Sequence, residues 1–152
     1  YVNEYHGTYL LRGESIITNT ADGTPIDTIT YRKKYVELDE VVSLPTVARK
    51  DITYENSIRL SSGSPGKFQM NLAFDASGNA VITSTPKYTS VVSGTAKYSE
   101  DTESWGGLDR NAIYLNYSIV EGTRTHIVKD TLVYRDKNVK FEEFVPKIVL
   151  AP

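Results

Sequence analysis

The sequence has no cysteine, one tryptophan, one methionine and two histidines among its 152 residues. Without cysteine there is no disulfide framework, no thiolate metal site and no cysteine nucleophile. No apolar run approaches the roughly 20 residues of a membrane-spanning helix, so no transmembrane segment is expected. An excess of one charge sign is missing as well: 19 acidic residues face 17 basic ones, a formal charge of −2. That balance offers no electrostatic footprint for nucleic acid. No glycine-rich loop opens a helix, so phosphate cradling lacks its scaffold and no cofactor is expected. Helical periodicity is lacking too, since no long window keeps an i, i+3, i+4, i+7 apolar face.

What is present points to strands. Hydrophobic residues make up 39% and charged residues 24% of the chain, a globular balance rather than a disordered one. Tyrosine contributes 11 residues, and Thr, Val and Ile fill most other periodic positions, the side chains that suit a pleated, half-buried surface. Phe68, Met70, Leu72 and Phe74 alternate with Gln69, Asn71 and Ala73, a strand with one dry face. Burying those four side chains contributes roughly 6–12 kcal/mol gross. The turn Asp75–Asn79 then returns the chain into Ala80–Thr85. Ile113, Leu115, Tyr117 and Ile119 form a second stripe, and Glu121-Gly122 leads into a strand over Thr123–Arg135. The apolar parity of that strand breaks at Lys129-Asp130, which predicts a bulge. Val92, Gly94, Ala96 and Tyr98 share a face of another strand, and Tyr5–Asn19 and Ile26–Leu38 flank a turn at Ala21–Pro25. Ile58 and Leu60 mark a short strand, while Pro45 argues against a central strand within Val41–Asn56. About eight strands joined by short turns predict an all-β, antiparallel up-and-down barrel, because closure removes exposed edges. Residues 1–152 read as a single domain. The chain opens at Tyr1 rather than Met, which suggests a piece of a longer protein with an upstream domain.

Two segments carry a family resemblance. His6-Gly7-Thr8-Tyr9-Leu10-Leu11-Arg12-Gly13 is similar to the opening strand of lipocalin-like domains from surface lipoproteins of gut Bacteroidetes, and DTLVYRDKNVKFEEF, Asp130 to Phe144, resembles their closing segment. The resemblance implies a calycin-type barrel, location at the cell envelope (outer-membrane surface or periplasm), and a role beside glycan capture in polysaccharide utilisation. It implies no catalytic residues. Lipocalins open on a Gly-x-Trp motif whose ring is covered by an arginine from the last strand. By that resemblance Arg135 is expected to stack over Tyr9, a cation–π contact at one end of the barrel.

Candidate chemistry is sparse. His6 and His126 lack metal-ligand spacing and read as strand histidines at the surface or seam, so no metal site is expected. Glu142 and Glu143 are adjacent and point to opposite faces of an extended chain. Asp101, Glu103 and Asp109 share a loop but read as solvating carboxylates rather than a glycosidase pair. The Asp75–Asn79 turn lacks the further oxygen ligands of a calcium loop. The segment Ser99–Asn111, S-E-D-T-E-S-W-G-G-L-D-R-N, reads as a long loop carrying Trp105, Asp109, Arg110 and Asn111. A Trp face stacks on a sugar ring while neighbouring polar groups bond its hydroxyls, and the alternative is a ring folded over the barrel end as a plug. These four residues are the candidate ligand-binding set. The expected function is non-enzymatic: an envelope-exposed accessory domain assisting glycan binding or assembly of an uptake complex, with a glycan or envelope protein as partner. The alternatives are a carrier of a small apolar ligand, disfavoured by the large inward side chains, an enzyme using loop carboxylates, and a structural spacer.

Overall fold

A computed structural model describes residues 3–32, 35–59 and 66–136. Ten strands occupy most of them: β1 (Gly7–Asn19), β2 (Pro25–Tyr31), β3 (Glu40–Leu44), β4 (Thr46–Ala48), β5 (Asp51–Ser57), β6 (Lys67–Phe74), β7 (Asn79–Ser84), β8 (Val91–Trp105), β9 (Leu108–Glu121) and β10 (Arg124–Asp136). A single 3-10 turn, Val36–Leu38, interrupts them. Among the described residues no helix is long and apolar enough to cross a membrane.

All pairings are antiparallel, and the order is β2-β1-β10-β9-β8-β7-β6-β5-β4, with β3 also on β1. The all-β meander is therefore as expected, with ten strands rather than about eight. The closed barrel is not: the ladder ends at β2 and β4, which do not pair. Pro45 explains the break. It separates β3, bonded to β1, from β4, bonded to β5, because a proline supplies no N–H to continue a ladder. Chain continuity and side chains span the seam instead. Asn3 donates from Nδ2 to the carbonyls of Ala48 (3.1 Å) and Asp51 (3.0 Å), and its backbone N–H donates to Thr46 Oγ1 at 3.0 Å.

The sheet rolls around one core to which β1, β3 and β5–β10 all contribute. Phe68, Met70, Leu72, Phe74, Ile113, Leu115, Tyr117 and Ile119 face inward as the alternation predicts. One end is filled by rings: Tyr5 stacks on Phe74 at 3.9 Å and meets Tyr98 edge-on at 5.0 Å.

Three local expectations are corrected. No bulge occurs at Lys129-Asp130, for both ladders of β10 run through it without a shift. The inward stripe is His126, Val128, Asp130 and Leu132, so a buried carboxylate mimicked a break in parity. Arg135 does not cover Tyr9: it is exposed and bonds Asp136 at 3.2 Å, while Tyr134 packs edge-on against Tyr9 at 5.6 Å. Tyr134 continues the inward stripe of β10, and the register shift between Thr8 and Tyr9 leaves Arg135 without a partner on β1. The third correction concerns residues 99–111, which form a hairpin rather than a long loop. Glu142, Glu143 and the end of the resembling segment lie outside the described residues, as does Leu60.

Candidate functional site

The hairpin holds the four residues singled out in the sequence. β7 pairs with β8 as far as Lys97, and β10 pairs with β9 as far as Ala112. The ladder from Glu103↔Arg110 to Trp105↔Leu108 therefore runs past both neighbours. Gly106 and Gly107 make the turn with φ of 65° and 80°, the positive pair a two-residue I′ turn requires. Asp101 takes up a register shift at φ 54°.

Trp105 donates from Nε1 to the Tyr134 carbonyl at 2.9 Å, and the Arg110 guanidinium lies 4.1 Å from its ring centre. The structure thus joins Trp105 and Arg110 directly. Asn111 faces inward instead: its Nδ2 donates to Tyr98 Oη at 2.8 Å and its Oδ1 accepts from the Asp101 N–H at 3.1 Å. Asp109 is exposed. Of the loop carboxylates, Glu103 accepts from Tyr114 Oη at 2.6 Å.

A second polar site occupies the interior away from the ring-filled end. Across the sheet, Tyr31 on β2 faces Gly13 on β1, which faces Asp130 on β10. Gly13 is required there: a Cβ would fall 2.2 Å from Asp130 Oδ1 and 2.5 Å from the Lys129 carbonyl. The Tyr31 hydroxyl reaches over the glycine and donates to Asp130 Oδ1. Tyr117 donates to the other oxygen at 2.6 Å, and it pairs with Gly94, where a Cβ would lie 2.6 Å from Tyr117 Cα.

Burial pushes the Asp130 carboxyl up to about 6, against the lowering effect of the two tyrosine hydroxyls. Burial, then the Asp130 charge, pushes the Tyr31 and Tyr117 hydroxyls upward. His126, expected at the surface or seam, is fully buried. Burial lowers its pKa more than Glu121 raises it, and Glu121 at 3.7 Å is too distant for a hydrogen bond. His6 lies before β1, its Nδ1 accepting from the Thr46 N–H at 3.1 Å, so the two histidines sit at opposite ends of β1.

Sequence reasoning passed over Tyr31, Ser15 and Arg59, read Asp130 as part of a bulge and placed His126 at the surface or seam. The available signal was a charged residue and a histidine at positions whose even spacing from Val128 and Leu132 puts all four on one face. Arg59 stacks over the Tyr31 ring at 4.3 Å and bonds Glu40 at 2.8 Å. Among the described residues no cluster of three or more His, Cys, Asp or Glu is disposed to hold a metal ion. Asp75 instead caps its own turn, accepting from the N–H groups of Ser77 (2.8 Å) and Asn79 (3.0 Å).

Comparisons with known proteins agree with this all-β architecture. The family model described as a domain of unknown function, DUF5627, matches residues 4–138. A crystal structure from Bacteroides ovatus, described as structural genomics, unknown function, is 37% identical with a TM-score of 0.82. The match covers 92% of this chain and 44% of that one, so the chain spans less than half the length of this relative. No curated protein matches.

Proposed function

The chain belongs to the DUF5627 family, a domain of unknown function, and on that footing we propose that it is a non-catalytic accessory domain of the cell envelope. In this reading it assists glycan binding or the assembly of an uptake complex. The observation that carries the reading is the overhanging β8–β9 hairpin. Its Trp105 is held by the Tyr134 carbonyl and Arg110, while Leu108, 61% exposed, and Asp109 face solvent at the tip. A fixed aromatic ring beside charged groups suits sugar or protein contact, because little side-chain freedom remains to be lost on binding. Glu103 is engaged by Tyr114 and Asp109 is exposed, an arrangement closer to solvation than to paired acid–base work.

A lipocalin-like ancestry is supported by the meander and by β1 lying against β10 along twelve register pairs. Envelope location rests on the resemblance of the end segments and on a relative from Bacteroides. The apolar-ligand carrier is the weaker alternative, because Phe68, Met70, Phe74 and Tyr117 occupy the interior. Affinity electrophoresis against plant, host and microbial polysaccharides tests the proposal, with Trp105→Ala and Arg110→Ala alongside. Retardation by one glycan class, lost in both variants, is the expected result. No retardation by any polysaccharide removes direct glycan binding at the hairpin and favours the spacer or protein-docking role.

A further inference from the structure

The polar interior contains more unmet bonding capacity than a structural core needs. Ser15 and His126 are 1% and 0% exposed and line a cavity of about 10 Å³ beside Asp130. Among the described residues neither Ser15 Oγ nor either ring nitrogen of His126 has a hydrogen-bond partner. Such groups are expensive to bury unmet, and an apolar side chain at either position would avoid the penalty. The cavity has room for one water or one hydroxyl group. Tyr31 and Arg59, which also line this cavity, form with Arg32 and Glu40 part of the wall of an open cleft of about 280 Å³.

Three of the four charged side chains of that cleft are already engaged in ion pairs. Arg59 is paired with Glu40 at 2.8 Å, and Arg12 with Asp39, a second carboxylate of the cleft, at 2.6 Å. A neutral hydroxyl suits the groups behind: an uncharged imidazole offers one donor and one acceptor, and a serine hydroxyl offers both.

We propose that this cleft binds a single neutral sugar ring, free or at the end of a glycan, with one hydroxyl entering the cavity between Ser15 and His126. The proposal does not rest on the hairpin reading. Tyr134, which holds Trp105, is eight residues from His126 along β10, roughly 27 Å at strand rise.

The test is an NMR titration of the labelled protein, read at the His126 ring nitrogens. The probes are glucose, galactose and mannose, their methyl glycosides and β-linked disaccharides, with glucuronate and glucosamine as charged controls. A neutral hexose or its glycoside is expected to shift the His126 signals saturably. Ser15→Ala, which removes one oxygen, is expected to weaken binding about tenfold, the upper range for one hydrogen bond, and Trp105→Ala to leave it unchanged. Saturation by free hexoses assigns a soluble sugar, and saturation by glycosides or disaccharides alone assigns a glycan terminus. No shift with any neutral probe overturns the proposal and leaves the cavity to a buried water. Preference for glucuronate or glucosamine, or an affinity unaffected by Ser15→Ala, overturns it equally.

Discussion

At the scale of single residues, Gly13 and Asp130 depend on each other. A methyl group at Gly13 would meet a carboxylate oxygen and a backbone carbonyl at 2.2 and 2.5 Å, and the backbone atom has little room to yield. Gly13→Ala is expected to cost roughly 3 kcal/mol, the upper range for overpacking. Gly23→Ala is the control: its φ of +74° is unfavourable but nothing lies within 4 Å, so about 1 kcal/mol is expected. Urea denaturation of both variants measures the difference. Asp130 makes a further prediction, in pH. Its carboxyl moves from 3.8 to about 6 on folding, so its stabilising contribution is complete below about pH 4 and lost as the pH rises through 6. The loss amounts to roughly 3 kcal/mol. Wild-type stability relative to Asp130→Asn should therefore fall by about that much between pH 4 and pH 7, in denaturation series at each pH. His126 acts in the opposite sense. Its pKa is lowered from 6.5, so its contribution is present above that value and lost as the medium becomes more acid, and His126→Phe should flatten that limb.

At the scale of elements, alternation made the core strands legible. In β6, and in β9 from Ile113 to Ile119, every inward position is apolar or Tyr, and the periodic reading placed those side chains correctly. In β10 the same rule misled, because Asp130 and His126 face inward while Ile127 is 46% exposed outside. Polarity identifies a face only where burial and chemistry agree, and at this site they do not. The hairpin was hidden for a different reason: beyond Lys97 and Ala112 no other described strand pairs with it, so its residues alternate weakly and read as loop. The four candidate residues were found by composition, yet only contact geometry separates the Trp105–Arg110 pair from Asn111, which serves the hairpin itself. Trp105→Phe keeps a ring for Arg110 but removes the bond to the Tyr134 carbonyl. It is expected to cost about 1 kcal/mol, seen as a shift in denaturation midpoint with unchanged slope.

At the scale of the whole molecule, the seam between β1 and β5 is held by side chains as much as by backbone. Asn3 also accepts from the Tyr5 N–H at 3.0 Å through Oδ1, so one amide ties the approach to β1 to both β4 and β5. Asn3→Ala leaves buried partners unmet and is expected to destabilise the fold by roughly 1–3 kcal/mol. Hydrogen exchange should then quicken at β4 and β5 while β7–β8 stays protected. Pro45 announced this seam in the sequence, but alternation could not show which strands would face each other across it. The pairing of β1 with β10 has a consequence for the order in which structure is acquired. During synthesis the hairpins from β5 to β9 are able to form as they emerge, whereas one long edge of β1 waits for more than a hundred intervening residues. Folding of so non-local a topology belongs to the millisecond-to-second range, and until β10 arrives β1 offers that edge to any passing strand.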